Sequence, residues 1–516
     1  MTNHLLSGFF SVYMLITTPI PYANAKPHLG HLLEAVFNDT LARYYKQTNP
    51  NVVLSMGLDQ HGLKMYEKAL ELGMDPAVFV KEIGKTFIDL WKEYSVHYDA
   101  FIETHDATHQ RVSQIIWKRI EAAGFIYKKA YSADYCVGCE EFKTDSQLDD
   151  NHQCPLHPGK NLITLSEENY FFRLSSFSNQ VRTFLETADI RPNHARTEWL
   201  NFVQEGLIDM SCSREKAKLP WGIPVPGDDE QVMYVWVEAL INYLTATVMN
   251  QNISELSDDD VFEIIKQNMP VEIMYCGKDI AKFHLVVWPA MLSALNLPLP
   301  KRALVHGFIN DALGRKFSKT LGNGVMPEDI FSRFGVDGTR FLLLHEVNVD
   351  GDTNFSMEAM SDAYNSHLAD NLGNLVMRVS NLVEKNLDGK VSNTKRFADA
   401  NFNNTHILPD QIQLLSTFDE AMKNLDVREG LDVLLKTCRY GNELLERTQP
   451  WKMVKNGQVE EVKEILEFLV YQLSIIGEKL SLFMPETGQK IVNVFSANAI
   501  AKAPVLFVKN VEVAQV

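Results

Sequence analysis

The sequence predicts an α/β fold in which a parallel sheet is split by an insertion and followed by an all-α helical bundle. Segments typical of strands and helices alternate up to about residue 120 and again over about residues 230–319, a pattern that favours a parallel sheet. Two short cysteine-containing motifs lie between these stretches, within residues 136–157. Beyond about residue 323 apolar residues recur at helical spacing, notably over 412–445 and 459–484, so we expect an antiparallel bundle there.

The first strand and the first helix are predicted from a change of pattern near the N-terminus. Residues 15–18, Leu-Ile-Thr-Thr, form a run typical of a buried strand, and three prolines follow before residue 28. Residues 29–45 then carry apolar side chains at helical spacing. A second strand is predicted at residues 52–56. Because ligands of parallel sheets bind at the carboxyl ends of the strands, the loops after these two strands are candidate binding segments.

His28, Gly30 and His31 stand where the first helix is predicted to begin. Gly30 has no side chain, so a nucleotide could lie against the backbone amides at the positive end of the helix dipole. The two histidines are three residues apart and share a helical face, from which both imidazoles could donate hydrogen bonds to a phosphate. Ordinary surface or capping histidines are the alternative, and the motif taken alone favours that simpler interpretation.

A second basic candidate is the glycine-punctuated loop at residues 314–322, with the sequence GRKFSKTLG. Lys316 and Lys319 flank Ser318, and their amines could neutralise a leaving pyrophosphate while the glycines let the loop move. A mobile, solvated basic loop is the alternative. The combination of this loop with His28 and His31 predicts a site for a nucleoside triphosphate.

Two motifs in the insertion have the spacing of metal ligands: Cys136-Val-Gly-Cys139 and Cys154-Pro-Leu-His157. Their four side chains suffice for a closed tetrahedral Zn²⁺ site, which would hold a loop-rich segment together and leave no position for water. His152 is a spare candidate for the fourth ligand. A redox-active cysteine pair and reduced structural thiols are the alternatives, and the presence of the second motif disfavours both.

A pocket for a substrate with an apolar side chain is predicted from aromatic residues and one carboxylate. Segments 234–243 and 283–288 have helical spacing and carry Trp236, Tyr243 and Trp288. Aromatic rings attract a polarizable thioether, so these rings would suit a methionine side chain. Asp59, in a glycine-flanked loop after the second strand, could pair with the ammonium group. Most such aromatics are core residues, however, and a loop aspartate is commonly a turn residue.

The helical part carries candidates for RNA contact. Asn374 and Arg378 are four residues apart and share a helical face, and Trp451 follows Pro450 at a predicted helix start. Such side chains can hydrogen-bond to unpaired bases and stack on them. Routine packing in the bundle is the alternative, and the residues alone favour it.

Composition is that of a large multidomain protein. A chain of 516 residues with 46% hydrophobic residues should form about three to five domains. No stretch is apolar enough to span a membrane, and residues 5–16 lack the features of a signal peptide, so we expect a cytoplasmic protein. Six unevenly spaced cysteines argue against a disulfide scaffold. The net charge of −17 argues mildly against a nucleic-acid partner, although basic residues gather near the C-terminus: Lys436, Arg439, Arg447, Lys452 and Lys455.

These motifs resemble those of class I aminoacyl-tRNA synthetases, and in detail they are similar to the methionyl-tRNA synthetase family over nearly the whole chain. Residues 28–31 (HLGH) resemble the HIGH motif, and residues 316–320 (KFSKT) resemble the KMSKS motif, with Phe317 and Thr320 as departures that keep both lysines. The resemblance implies a Rossmann-like catalytic domain, a zinc-bearing connective insertion and an anticodon-binding bundle. It further implies activation of L-methionine by ATP with Mg²⁺ and transfer to tRNA(Met), whose anticodon is CAU.

The resemblance also implies roles for individual residues that match the family's pattern. Those matching catalytic positions are His28, His31, Lys316 and Lys319, and those matching nucleotide-binding positions are Gly30, Gly277, Asp279 and Lys319. Those matching the methionine pocket are Tyr22, Asp59, Trp236, Tyr243, His284 and Trp288. The matches to zinc ligands are Cys136, Cys139, Cys154 and His157, and those to anticodon-reading positions are Asn374, Arg378 and Trp451.

We predict five regions along the chain. Residues 1–120 and 231–322 form the two halves of the catalytic domain, 121–230 the insertion with its zinc knuckle, 323–365 a stem-contact connecting region and 366–516 the anticodon-binding domain. Without an obvious appended β-barrel module, a monomer is expected. Two rival functions are a paralogue that passes the adenylate to a non-tRNA acceptor and a catalytically silent tRNA-binding protein. The intact anticodon positions disfavour the first rival, and the retained histidines and lysines disfavour the second.

Overall fold

A computed structural model of the chain describes residues 13–139, 141–143, 148–155, 161–317, 325–392, 397 and 414–510. Its strands, numbered in chain order, are β1 (Met14–Thr17), β2 (Val52–Leu58), β3 (Ala100–Glu103), β4 (Ile126–Cys136), β5 (Glu141–Lys143), β6 (Ile163–Phe172), β7 (Asp189–Arg191), β8 (Met210–Ser211), β9 (Ser213–Glu215), β10 (Pro224–Val225), β11 (Asp228–Met233), β12 (Val271–Gly277), β13 (Arg302–His306), β14 (Ile309–Asn310) and β15 (Thr353–Asn354).

The α-helices follow the same numbering. They are α1 (Leu29–Lys46), α2 (Leu63–Glu71), α3 (Pro76–Glu93), α4 (Ala107–Ala122), α5 (Ser178–Thr187), α6 (Asn193–Gln204), α7 (Val235–Thr245), α8 (Asp258–Gln267), α9 (Trp288–Ala294), α10 (Pro327–His345), α11 (Met357–Ala363), α12 (Asn374–Leu387), α13 (Phe418–Lys423), α14 (Val427–Thr448), α15 (Pro450–Lys455), α16 (Val459–Leu480) and α17 (Pro485–Phe495). Short 3₁₀ turns cover Leu174–Phe177, Ile253–Glu255 and Leu414–Thr417.

The central sheet has six parallel strands in the order β3-β2-β1-β12-β13-β7. Strand β1 lies in its middle, with Leu15 opposite Val53 of β2 on one side and Val271 of β12 on the other. Its first five strands have the order of a doubly wound nucleotide-binding fold. The predicted Rossmann-like parallel sheet is therefore confirmed. The edge strand β7 lies in the predicted insertion, residues 121–230. The insertion therefore contributes a strand to the central sheet in addition to dividing the catalytic domain in the sequence.

The prediction for the first strand, helix and second strand is confirmed to within two residues at each boundary. The residues of β1 are buried, and α1 runs from Leu29 to Lys46 against both β2 and β12. Helix α1 buries most of its residues, including Asn38 and Asp39, because α10 covers the side that faces away from the sheet. This burial explains why the helix lacks a conventional polar face.

The insertion contains a four-stranded antiparallel sheet in the order β5-β4-β6-β8 and a three-stranded sheet in the order β10-β11-β9. Strands β4 and β6 pair along ten residues, from Ile126 opposite Phe172 to Tyr135 opposite Ile163. The end of β4 carries Cys136, so this ribbon holds the first cysteine motif.

The C-terminal part is helical, as predicted, but its long helix begins later than expected. The prediction of one helix over residues 412–445 is wrong at its start: α13 ends at Lys423, and Leu425 has a left-handed φ of 60°. Asp426 then caps α14 by accepting a hydrogen bond from the Glu429 amide. Helix α16 matches the predicted stretch closely and packs against α12, α14 and α17.

Two segments form π-helical turns, the first of them within a stretch that the sequence predicts as ordinary helix. These are Phe283–Val287, directly before α9, and Tyr364–Gly373, directly before α12. The wider turns occur where aromatic and histidine side chains meet other elements, and such turns are frequent at functional sites.

Among the helices of the described residues, none is both long enough and apolar enough to cross a bilayer. All six cysteines are free thiols, in agreement with the prediction that the chain has no disulfide scaffold. The N-terminal residues 5–12, which the sequence left without a clear role, lie outside the described residues.

Candidate active site

The candidate residues of the active site converge at the carboxyl edge of the central sheet. His28 follows β1, Asp59 follows β2, Gly277 ends β12 and His306 ends β13. Because these strands are parallel neighbours, their carboxyl ends open onto one surface, as the sequence predicts.

The two histidines of residues 28–31 stack on each other at the start of α1. Their ring centroids are 3.7 Å apart and nearly parallel. The Gly30 amide donates to Nδ1 of His28 at 3.1 Å, and the His28 amide donates to Nδ1 of His31 at 3.3 Å. Each Nδ1 therefore accepts, so each neutral ring carries its proton on Nε2. The helix cap therefore fixes both neutral imidazoles in the tautomer that donates from Nε2.

This geometry also explains Gly30. A Cβ at that position would lie 3.0 Å from Cε1 of His28, so a side chain would crowd the stacked ring. The sequence suggested that the Gly30 amide could bind a phosphate. In the structure this amide donates to Nδ1 of His28 instead. The pKa of His31 is well below its usual value of 6.5 because of burial and the nearby His28. The His31 ring is therefore neutral near pH 7.

The lysine loop is described only in part. Asn310 and Lys316 form an isolated antiparallel bridge, and the ammonium of Lys316 lies 4.1 Å from the centroid of the Phe308 ring. Asp311 accepts from the backbone and side chain of Arg315 and so shapes the turn before the loop. Lys319, with Ser318 and Thr320, lies outside the described residues.

A buried pair near Gly277 was not predicted from the sequence. Nε2 of His306 and Oε1 of Glu34 are 3.0 Å apart, and both residues are buried. Burial lowers the pKa of His306, but the hydrogen bond to Glu34, the charge of Glu34, the Gly307 carbonyl and the charge of Asp279 together outweigh it, and the net pKa is raised. A Cβ on Gly277 would lie 2.8 Å from Oδ1 of Asp279, so glycine leaves room for that carboxylate. Glu34 is one helical turn from His31, which is the signal that could have identified it.

The aromatic pocket forms around the loop between β1 and α1. Tyr22 and Asp59 form a parallel bridge, with the Asp59 amide donating to Pro21 and the Ala23 amide donating to Asp59. The ring of Tyr22 meets that of Trp236 edge to face at 6.0 Å. Tyr22 and Trp236, predicted from distant parts of the sequence, are thus brought together beside Asp59.

The other wall of the pocket is a buried hydrogen-bonded group of rings. The hydroxyl of Tyr243 and Nε2 of His284 are 2.7 Å apart, and Trp288 meets Tyr243 edge to face at 5.6 Å. Burial lowers the pKa of His284 to about 4. Phe283, which the sequence analysis missed, stacks on Trp236 at 3.8 Å with parallel planes. Its position beside His284 in a helical aromatic run was the available signal.

A hydrogen-bonded pair of histidines, the buried His61 and the exposed His105, supports the Asp59 loop. Nδ1 of His61 is 2.8 Å from Oε1 of Glu238, and its Nε2 is 3.0 Å from Nδ1 of His105. The His105 ring stacks on Trp221, whose indole donates to the carbonyl of Gln60 at 2.6 Å. These residues hold the backbone on the C-terminal side of Asp59. No local pattern in the sequence predicts these partners, since they are separated by up to 177 positions.

We expect acid to destabilise the protein through its neutral buried histidines. Burial lowers the pKa of His109 to about 3 and that of His284 to about 4, against 6.5 in an unfolded chain. The unfolded state therefore binds protons first, and stability falls as the pH drops from about 6.5 toward 4. The loss is about 2 kcal/mol per histidine at pH 5. His306 has a raised pKa in the folded protein, so its protonation increases the stability of the folded state as the pH falls.

Urea unfolding at pH 7 and pH 5 tests this expectation. The stability difference between the wild type and His109→Asn should shrink by about 2 kcal/mol at the lower pH, because the variant has no neutral imidazole there to lose. The exposed His194→Asn variant serves as the control and should keep the wild-type profile. A His109→Asn profile parallel to that of the wild type would contradict the assignment.

The predicted cysteine motifs come together. The ligand atoms of Cys136, Cys139 and Cys154 lie within 4.8 Å of one another, and the Sγ atoms of Cys139 and Cys154 are 3.5 Å apart. Three soft donors at this spacing fit a tetrahedral metal ion. The predicted fourth ligand, His157, lies outside the described residues. His152, the spare candidate, has its Nε2 2.9 Å from Oδ2 of Asp134.

This cluster contacts the aromatic pocket directly. The indole of Trp236 donates to the carbonyl of Cys139 at 3.4 Å. Glu141, next to the cluster, forms an ion pair with Lys282, the residue before Phe283. A change in the conformation of the cysteine turn would therefore displace two walls of the pocket, at Trp236 and at Phe283.

The three candidate RNA contacts lie together on the bundle. The Asn374 amide donates to Oδ1 of Asn442 at 3.4 Å, and the guanidinium of Arg378 approaches the same oxygen at 3.5 Å. Arg378 also pairs with Glu446 at 2.7 Å and lies 5.8 Å from the ring centroid of Trp451. Trp451 is 38% exposed, so its indole has a face available to solvent. The expected common face of Asn374 and Arg378 is confirmed.

Comparison with known proteins places this arrangement in a family. The family profile described as "tRNA synthetases class I (M)" matches residues 14–161 and 151–380. The chain is 37% identical to the methionine–tRNA ligase of Caldanaerobacter subterraneus subsp. tengcongensis over 92% of this chain and 73% of that protein. It is 34% identical to the methionine–tRNA ligase of Thermosynechococcus vestitus over 93% of this chain and 89% of that protein.

Solved structures agree. The crystal structure of Mycobacterium tuberculosis methionyl-tRNA synthetase bound by methionyl-adenylate superposes with a TM-score of 0.83 and 33% sequence identity, covering 93% of this chain and 94% of that one. The apo form of the same Mycobacterium tuberculosis enzyme gives a TM-score of 0.79 at 29% identity. The relatives match nearly the full length of the chain, across the parallel sheet, the insertion and the bundle. The chain therefore belongs to the methionine group of the class I tRNA synthetases, the family of the methionine–tRNA ligases.

Proposed function

We propose that this chain activates L-methionine with ATP to methionyl-adenylate and transfers the methionyl group to tRNA(Met). The main support for the proposal is the arrangement of side chains along the loop between β1 and α1 and at the start of α1. It holds Tyr22 beside Asp59 and Trp236 at one end and the stacked His28 and His31 at the other. An amino acid in the aromatic pocket would thus have its carboxylate directed toward donors suited to a nucleotide phosphate.

Activation requires that a methionine carboxylate oxygen attack the α-phosphorus of ATP and expel pyrophosphate. His28 and His31 would each donate from Nε2 to the α-phosphate, whose negative charge grows in the transition state. Both rings act as hydrogen-bond donors, because their Nδ1 atoms accept from backbone amides. The chemistry then depends on positioning and electrostatics, and it needs no covalent enzyme intermediate.

The departing phosphates would be neutralised by Lys316 and Lys319 together with the Mg²⁺ that accompanies ATP. The antiparallel bridge between Lys316 and Asn310 supports this role, because it limits where the Lys316 side chain can lie. Gly30, Gly277 and Asp279 would border the nucleoside, and the space above Gly277 that a Cβ would fill is consistent with that placement. In the second step a terminal ribose hydroxyl of the tRNA attacks the adenylate carbonyl, and AMP leaves.

Methionine recognition would use size, polarizability and charge together. The ammonium group pairs with Asp59, while the thioether packs among Tyr22, Trp236 and the buried Tyr243–His284 pair. Trp288 closes the inner wall through its contact with Tyr243. The fixed Tyr243–His284 hydrogen bond leaves a neutral wall that accepts an apolar side chain.

We further propose a structural Zn²⁺ ion held by Cys136, Cys139, Cys154 and His157. The three sulfur atoms are already gathered, and their burial suits a closed site. The ion would fix the turn whose Cys139 carbonyl receives the Trp236 indole.

Removal of the metal should therefore weaken methionine binding more than ATP binding. Loss of one such hydrogen bond is worth about 0.5–1.5 kcal/mol, so we expect the KM for methionine to rise up to about tenfold in Cys154→Ser or after chelation. Steady-state exchange assays measure both KM values. The Cys438→Ala variant, which changes a buried cysteine in the bundle, should leave the methionine KM unchanged. Equal increases in both KM values would argue against a specific link to the pocket.

The bundle would read the CAU anticodon through Asn374, Arg378 and Trp451. The exposed indole can stack on a base, and the amide and guanidinium beside it can hydrogen-bond to base edges. A cytoplasmic monomer is the form we propose for this activity.

Two activities measured in one preparation test the proposal: methionine-dependent ATP–pyrophosphate exchange and charging of a CAU-anticodon tRNA. Both are expected. Exchange without charging would support the paralogue that uses another acceptor, and Arg378→Ala would then have no effect on any activity. Absence of both activities in folded, zinc-replete protein would refute the enzyme function and leave the tRNA-binding protein.

A further inference from the structure

A second cluster of potential metal ligands lies far along the chain from the cysteine motifs, where the connecting helix meets the bundle. His345 is the last residue of α10, Glu346 follows it, and His367 lies in the π-helical turn before α12. One ligand atom from each of the three residues lies within 4.8 Å of the others. The cluster rests on the Phe341 ring, which stacks on His345 at 5.0 Å and lies 6.0 Å from His367.

The His345 ring has a carboxylate at each nitrogen. Its Nδ1 is 2.6 Å from Oε1 of Glu346, and its Nε2 is 3.1 Å from Oδ1 of Asp432 on α14. A neutral imidazole has one N–H, so it can donate to only one of the two carboxylates. The other nitrogen would then direct its lone pair at an anionic oxygen. A second proton on the ring resolves that conflict, and so does a cation bound at the nitrogen.

The arrangement of Asp432, Glu346 and His367 around the His345 ring suits a bound cation. If Nε2–H donates to Asp432, then Nδ1 is free to bind a metal together with the Glu346 carboxylate. A metal-bound histidine whose other nitrogen donates to a carboxylate is a recurrent arrangement in metalloproteins. His367 supplies a second imidazole, with its ring centroid 4.9 Å from that of His345.

We infer that His345, Glu346 and His367 form a binding site for a divalent transition-metal ion, with Asp432 orienting His345. Two imidazoles and one carboxylate are a donor set of Zn²⁺ and similar ions, whereas Mg²⁺ and Ca²⁺ prefer oxygen ligands. The fourth position would be taken by water. Ligand atoms around tetrahedral Zn²⁺ lie about 3.3 Å apart, so side-chain rotations that shorten the longest separations would complete the site.

Two arginines set the expected strength of this site. Arg428 lies near Glu346 and Arg439 near His367, and both positive charges oppose a bound cation. We therefore expect weaker binding than at a cluster of buried thiolates. The ion would connect α10 to the π-helical turn and, through Asp432, to α14, and so join the connecting region to the bundle. This inference does not depend on the proposed catalytic activity.

Equilibrium dialysis of the full chain against Zn²⁺, followed by measurement of bound metal, tests the site. Wild-type protein should retain one equivalent of Zn²⁺ more than either His345→Asn or His367→Asn, whatever the occupancy of the cysteine cluster. His194→Asn changes an exposed histidine outside the cluster and should bind as much as the wild type. Equal stoichiometry in wild type and both cluster variants overturns the inference.

A spectroscopic measurement on the unmodified chain covers the case in which a variant fails to fold. Zn²⁺ is loaded first, to fill the cysteine cluster, and Co²⁺ is then added. The expected result is a Co²⁺ absorption spectrum with nitrogen and oxygen ligands and no thiolate charge-transfer band. Absence of any Co²⁺ binding, or a thiolate spectrum alone, would overturn the inference.

Discussion

Replacing His31 with Asn should slow methionine-dependent pyrophosphate exchange by about 10²–10³-fold, the usual cost of removing one donor to a developing negative charge. The Nε2–H of His31 is the donor that would be lost, since its Nδ1 already accepts from the His28 amide. Asparagine keeps a polar group near the helix start, so the stability of α1 should change by no more than about 1 kcal/mol. The effect should appear in kcat, with the KM for methionine nearly unchanged.

A matched series makes the result specific to the stacked pair. His28→Asn should give a loss of the same order, and the exposed His194→Asn should give none. Because burial and the neighbouring His28 keep the pKa of His31 well below 6.5, the loss should be the same at pH 7 and pH 8. A His31→Asn enzyme that retains its exchange rate and its melting temperature would remove His31 from the catalytic site.

Replacing Arg340 with Met should give the largest stability loss, about 3–5 kcal/mol, because it breaks a buried ion pair and leaves Arg43 as the remaining ion-pair partner of the buried Asp39 carboxylate. The Arg340 guanidinium is fully buried in α10. It donates to Oδ2 of Asp39 at 2.7 Å, to the carbonyl of Tyr94 at 3.0 Å and to the carbonyl of Phe483 at 2.6 Å. Urea unfolding of wild type and variant measures the loss.

Two comparisons separate the buried network from simple loss of charge. Lys490→Met breaks an exposed pair with Glu486 and should cost less than about 1 kcal/mol. The double variant Arg340→Met/Asp39→Asn should cost less than the sum of its single changes, because the two side chains are direct partners and their shared interaction is lost only once. Additive losses would mean that Arg340 and Asp39 act independently.

Local patterns were enough to predict the first strand, the first helix and the loop that joins them. The run at residues 15–18 and the helical spacing of 29–45 are properties of neighbouring residues, so they predict β1 and α1 without knowledge of the rest of the chain. The cysteine spacing predicted the gathered thiols for the same reason. Residue type and helical spacing predicted Trp236, Tyr243 and Trp288 as pocket residues, and family resemblance added Tyr22 and His284.

What the sequence could not predict depends on partners far away in the chain. Glu34 and His306 pair across 272 positions, and no local pattern indicates which buried carboxylate meets which imidazole. The π-helical turns are likewise set by packing, since their sequences have ordinary helical spacing. The late start of α14 depends on one left-handed residue, Leu425, a conformation that leucine rarely adopts.

The central position of β1 has a consequence for how the protein is made. During synthesis β1 can pair with β2 as soon as residue 58 has emerged, but its other neighbour, β12, begins at residue 271. Until then β1 is an open sheet edge with unpaired amides and carbonyls, and loop closure over more than 200 residues is still to come. A nascent chain that stalls between residues 58 and 271 exposes a sheet edge that is prone to aggregation. A chaperone would therefore protect this protein most during that interval of synthesis.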